Sequence, residues 1–121
     1  MDKDMLVKVG TYLFAIPFLV FGVMHLIDAQ SLAFLVPGFI PGGVFWVYLT
    51  GLAFIAATVS IFVGKKVKLA MQLLALMLLI FVLTIHIPAV MDDMNAASNL
   101  LKDLSLAGGA LLLGSMYGDE E

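Results

Sequence analysis

"GVFWVYLTGLAFIAATVSIFVGKKVKLAMQLLALMLL", Gly43 to Leu79, decides the fold class: two long apolar runs flank "GKKVK", Gly64 to Lys68, which holds three of the six lysines. About 20 mostly apolar residues cross the hydrocarbon core of a bilayer as one α-helix. Both runs approach or exceed that length, and neither shows the short apolar/polar alternation of a membrane β-strand. The stretch therefore reads as two membrane helices joined by a tight basic turn.

The same pattern continues on either side. Spans are expected over 9–27, 43–63, 69–91 and 99–117, so the 121 residues form one all-α transmembrane domain, a polytopic four-helix bundle. Composition agrees: 63% of residues are hydrophobic and 12% charged, with a mean hydropathy of +1.12, well above the apolar share of an ordinary soluble domain. Six lysines, no arginine and a net charge of −3 supply no basic stripe for phosphate backbones, so nucleic acid is not an expected partner. The absence of cysteine excludes a dithiol relay, a thiolate nucleophile and iron–sulfur ligation by this chain. Lys3 and Lys8 before an apolar run invite comparison with a cleaved signal peptide. That reading is disfavoured because the run is long, Asp2 and Asp4 dilute the positive charge, and Ile27 fits poorly two residues before Ala29.

Lysine placement orients the spans, because cytoplasmic loops collect Lys and Arg. With "GKKVK" inside, both termini are cytoplasmic. Lys3 and Lys8 then lie inside, together with the acidic tail "GDEE", and the outer connections 28–42 and 92–98 contain no lysine. Tyr12 and Tyr117 fall near the inner interface, Trp46 and Tyr48 near the outer one. The expected location is the plasma (inner) membrane, multi-pass. The outer connection "DAQSLAFLVPGFIPGG" is apolar yet broken by Pro37, Gly38, Pro41, Gly42 and Gly43, so it is expected to fold back over the outer mouth rather than cross.

Within that frame the ionisable residues inside spans gather at one depth. His25 ends the first span, His86 nears the outer end of the third, and Lys102 with Asp103 opens the fourth. Gly22, His25 and Asp28 share one helix face, and Asn99, Lys102, Ser105 and Gly109 share another. Pro88 frees the carbonyl of Thr84 and predicts a bend beside His86. A charged group at the centre of a span costs roughly 2.5 to 3.5 kcal/mol on insertion scales, so such groups are paired or functional. Lys102 can snorkel, and Asp103 can serve its helix dipole or pair with Lys102. For the histidines, hydrogen bonding between helices competes with a binding or proton-handling role.

His25, His86, Lys102, Asp103 and Trp46 are the candidate ligand-binding residues, with no catalytic residue and no metal site proposed. Two imidazoles can donate to the carbonyl oxygens of a quinone from the outer leaflet while Trp46 or a phenylalanine packs its ring. Clamping a haem iron is the weaker alternative, since it needs a porphyrin-sized pocket. A metal site would need Asp28, Asp92 and Asp93 to converge on the histidines. Small residues four apart, Ala53 with Ala57, Ala56 with Ser60 and Gly64, and Ala110 with Gly114, favour close helix approach and are compatible with a homo-oligomer. No serine-protease triad, Walker loop or dinucleotide fingerprint is present, so the chain is not expected to be catalytic on its own.

The ordered set "FGVMHL", "LVPGFIPGGVFWVYLTGLAFIAA", "GKKVKLAMQLLALMLL", "IHIP" and "LLKDLSLAGGALLL" resembles the DoxX family of small four-helix membrane proteins across nearly the whole chain. The resemblance implies an accessory subunit of a quinone-linked redox system in the plasma membrane, with a redox partner protein, and it carries His25, His86, Lys102 and Asp103 over as site positions. Where that family has a glutamate shortly after the "TG" of the second span, this chain has Phe54, so a carboxylate-dependent proton path there is not carried over. The alternative expectation is a structural or transport accessory that holds lipid or organises a complex without redox chemistry.

Overall fold

The computed structural model describes residues 2–118, and among them the chain is all-helical without a strand. α1 (Lys3–Ile27) begins on the side chain of Asp2, which accepts the Met5 amide at 2.9 Å and satisfies one of the orphan donors of a helix start. A short α2 (Ala29–Leu32) and a 3₁₀ turn (Ala33–Leu35) lead through the proline segment to α3 (Val44–Val63). α4 (Val67–Phe81) runs through a π turn (Val82–His86) into α5 (Ile87–Asp92), and after a 3₁₀ turn (Met94–Ala96) α6 (Ala97–Gly114) closes the fold. Residues 119–121 of the acidic tail lie outside the described residues.

Three segments, Lys3–Ile27, Val44–Val63 and Val67–Asp92, are long and apolar enough to cross a membrane. The fourth expected span is present as α6 but is not among these three. Asn99, Lys102 and Asp103 make its first half polar, and its helix stops at Gly114 rather than Tyr117. The first helix is longer than the sequence pattern suggests, starting at Lys3 rather than Val9, because the Asp2 cap lies upstream of the apolar run.

The turn between α3 and α4 is built by backbone geometry. Gly64 takes φ +69° and Lys66 φ +56°, both left-handed. Glycine reaches that region at no steric cost, and it ends α3 while the chain reverses. The Lys65 amide donates back to the Ser60 carbonyl, and the Ser60 hydroxyl to the Lys65 carbonyl. The lysines are thus held at a reversal too short to contain anything else.

α1 lies along α3 and α4 along α6, while α3 and α4 join the two pairs. A continuous core runs through Phe18, Phe54, Ala57, Met71, Leu74 and Leu78, and α6 contributes Ala107, Ala110 and Leu113. A close crossing lies at Gly22 of α1 and Gly51 of α3, where a Cβ on Gly51 would stand 2.8 Å from the His25 Cβ and 3.0 Å from the Gly22 carbonyl oxygen. A second crossing brings Gly114 against Met71, with 2.8 Å between a would-be Cβ and the Met71 Cβ. Of the expected small-residue pairs, Ala57, Ala110 and Gly114 are buried between helices. Ala53, Ala56 and Ser60, together with Ala57, line a cleft of about 340 Å³ between α3 and α4.

The bend expected near Pro88 takes a specific form. Proline has no amide hydrogen, so the Thr84 carbonyl loses its ordinary partner four residues on. The helix widens ahead of the proline, and the Ile87 amide reaches the Val82 carbonyl five residues back. A π turn of this kind shifts the phase of all that follows and is frequent at functional sites. Here it precedes the contact between His86 and α6.

Candidate functional site

A cavity of about 560 Å³ opens beneath the proline segment, between the α1–α3 pair and the α4–α6 pair. Its walls are mostly rings and aliphatic chains, among them Phe18, Phe21, Phe54, Leu78 and Phe81. Leu35, Val36, Pro37 and Ile40 line it from the 28–43 connection, the segment expected to fold back over the outer mouth. Polar groups are few: His25, Thr50, Thr84, His86, Asn99, Lys102 and Asp103. An apolar hollow of several hundred Å³ with a few convergent polar groups has the form of a small-molecule site.

All five residues singled out from the sequence, His25, Trp46, His86, Lys102 and Asp103, line this one cavity. Their roles divide. His25 Nδ1 lies 2.6 Å from the Phe21 carbonyl oxygen one turn earlier in α1. Its ring stands edge-on to Phe54, with centroids 5.4 Å apart at 89°. Phe54 is itself buried against Phe18 at 5.4 Å. A carbonyl below and an aromatic face beside it fix the imidazole orientation.

His86 Nε2 meets Asp103 Oδ2 at 2.7 Å, joining the π turn to α6, with side chains only 16% and 10% exposed. Asp103 was expected to pair with Lys102 or to complement its helix dipole. Its partner is His86, because Lys102, the adjacent residue, points along another face and is exposed whereas Asp103 is buried. Trp46 donates its indole N–H to the Pro41 carbonyl at 2.6 Å. Its ring therefore borders the cavity while its polar handle pins the proline segment to the start of α3. Asp28 and Asp93, weighed as metal ligands, serve local turns: Asp28 accepts from the Ser31 hydroxyl at 2.8 Å and Asp93 from the Asn95 amide at 3.0 Å.

Sequence reasoning missed Thr50, and it read Phe54 only as a missing carboxylate. The signal for Thr50 was its position beside Gly51, whose lack of a side chain brings α1 close. Asn99 appeared only as one member of a polar stripe, and the structure places it with Lys102 on the cavity wall.

Residues 14–108 match a family described as a domain of unknown function, DUF8561. The chain belongs to the DUF8561 family. The resemblance to DoxX is thereby corrected: its motifs were short, apolar and common to many helical membrane chains, and the family match found is to DUF8561. No curated protein and no solved structure matches the chain. The DUF8561 region contains His25, Trp46, His86, Lys102, Asp103 and the Gly22–Gly51 crossing, and it ends before Gly114.

Proposed function

We propose that the protein is an integral membrane four-helix bundle that holds a lipophilic small molecule in the cavity, as a binding accessory without catalysis of its own. The observation that carries this reading is the convergence of two histidines, a buried carboxylate and Lys102 on one otherwise apolar cavity. Separate helices supply these groups, and their burial is costly unless paired or used. The redox role expected from the DoxX resemblance loses its support with that resemblance. Binding rests on the cavity and is kept.

The distribution of side chains favours lipid as the surrounding solvent. Leu13, Leu83 and Leu112 are 71%, 66% and 72% exposed, whereas Thr58 and Asp103 are buried. A monomeric protein in water rarely presents so much contiguous apolar surface. The three apolar helices are compatible with insertion, and α6 is the fourth member, with Asp103 of its polar half buried against His86 of the π turn. Lysine distribution supports an inner-membrane location with cytoplasmic termini. In this cysteine-free chain, Lys65→Cys is expected to react with an impermeant maleimide only in permeabilised cells, and Ser31→Cys in intact cells. The reverse pattern would overturn the orientation.

Binding itself is tested by purifying the protein in mild detergent and extracting it for mass spectrometry. A lipophilic molecule is expected to be retained in stoichiometric amount, and to fall about tenfold in His25→Ala and His86→Ala, the effect of about 1.4 kcal/mol in binding. Equal retention by both variants, or bulk phospholipid alone in the wild type, would overturn the proposal.

A further inference from the structure

The chemical class of the occupant follows from which histidine nitrogens are already engaged. A carbonyl oxygen only accepts hydrogen bonds, so the 2.6 Å contact with the Phe21 carbonyl requires the hydrogen on His25 Nδ1. The neutral imidazole then has Nε2 as a bare acceptor. No hydrogen bond engages Nε2 among the described residues, and no buried side-chain nitrogen or oxygen is left without a partner there. His25 Nε2 is therefore an accessible atom of a ring that lines the cavity.

His86 repeats the pattern with the nitrogens exchanged. The Asp103 carboxylate takes the hydrogen of His86 Nε2 at 2.7 Å, so a ring carrying that single hydrogen has Nδ1 as an acceptor. Both imidazoles are thus held by acceptors that occupy their N–H groups. A carbonyl-only ligand would meet a His25 ring carrying only its Nδ1 hydrogen as acceptor against acceptor, the opposite of the donor role expected from sequence for a quinone. A ligand bearing a hydroxyl hydrogen satisfies it.

From these contacts we infer that the cavity takes a lipophilic phenol, whose hydroxyl donates to His25 Nε2 while its ring packs among Phe21, Phe54, Phe81 and Trp46. The inference rests on the proposed binding function and deepens it. Aromatic walls favour an aromatic head through edge and offset contacts, and Thr50 supplies a hydroxyl for the second lone pair of the phenolic oxygen. No proton need leave the ligand, because the interaction is a hydrogen bond.

The test compares para-nonylphenol with its methyl ether, which keeps the ring, tail and oxygen and lacks only the donor. Binding to the intact protein in detergent is read from quenching of Trp46, the single tryptophan, on the cavity border. The phenol is expected to bind about tenfold more tightly, since the ether leaves His25 Nε2 unpaired. In His25→Phe the two probes are expected to bind alike. Equal binding to the wild type would overturn the phenol assignment while leaving the cavity a lipophile site, whereas saturable binding of neither probe would overturn the binding function itself. A preference that survives in His25→Phe would overturn the assignment to His25. Nitrogen NMR of the histidine-labelled protein, with two histidines to resolve, gives a readout without substitution: the phenol is expected to move the His25 Nε2 signal and the ether to leave it in place.

Discussion

Gly51→Val is expected to destabilise the folded protein by about 3 kcal/mol, toward the upper end of overpacking effects. Even the first added carbon would lie 2.8 Å from the His25 Cβ, 3.0 Å from the Gly22 carbonyl and 3.2 Å from Leu26 Cδ2. Two of these neighbours belong to the backbone or its first side-chain atom and have no rotamer to yield, so α1 and α3 must separate. In the membrane setting proposed above this is severe, since helix association in lipid relies on close van der Waals packing rather than on exclusion of water. The same displacement moves His25 away from Phe54, so ligand retention is expected to fall with stability. Equilibrium unfolding in detergent, followed by circular dichroism or by electrophoretic mobility in graded denaturant, measures the change. A Gly51→Val protein as stable as the wild type would show that the crossing is looser than described.

Asp103→Leu should also have a large effect, about 1.5 to 3 kcal/mol. The carboxylate is the partner of His86 in a setting where both side chains are largely withdrawn from solvent, so its loss strands an N–H donor between helices. Replacing both members with apolar side chains is expected to be far milder than the single change, because nothing is then left unpaired. A double-mutant cycle of Asp103→Leu with His86→Phe should therefore show strong coupling, with the double variant more stable than Asp103→Leu alone. Additive losses would mean that the 2.7 Å contact contributes little. Ligand retention separates structure from function: the double variant is expected to fold and yet bind more weakly, having lost both polar groups from that part of the cavity lining.

How far the sequence carried this picture depends on the kind of signal. Apolar run length, which reflects only composition and periodicity, marked α3 to within one residue. That His25, His86, Lys102 and Asp103 gather at one end of their helices was also legible, because the order of the apolar runs assigns each residue to an end, and all four line one cavity. The partners were not. Whether Asp103 turns to Lys102, to its helix terminus or to His86 depends on rotation of α4 and α6 about their axes, which the π turn alters and which no local pattern before Pro88 encodes. The Gly22–Gly51 crossing was hidden for a similar reason: Gly22 sat in a polar stripe and Gly51 in a motif credited to a different family, and a contact between two glycines leaves no periodic trace in either helix. The more conspicuous small-residue pairs, Ala53 with Ala57 and Ala56 with Ser60, border a cleft.

The π turn at Val82–His86 makes chain length, as well as residue identity, a determinant of the site. If the segment wound as regular α-helix at its present length, every later position would rotate by about 100°, one residue's share of a 3.6-residue turn. His86 would then no longer face Asp103, although every side chain in the cavity remained encoded. Substitution scanning would leave this constraint unseen. Changes of length between Phe81 and Pro88 are what expose it: an added residue is expected to turn His86 away from Asp103, whereas the loss of one residue is absorbed when the widened turn closes to regular α-helix.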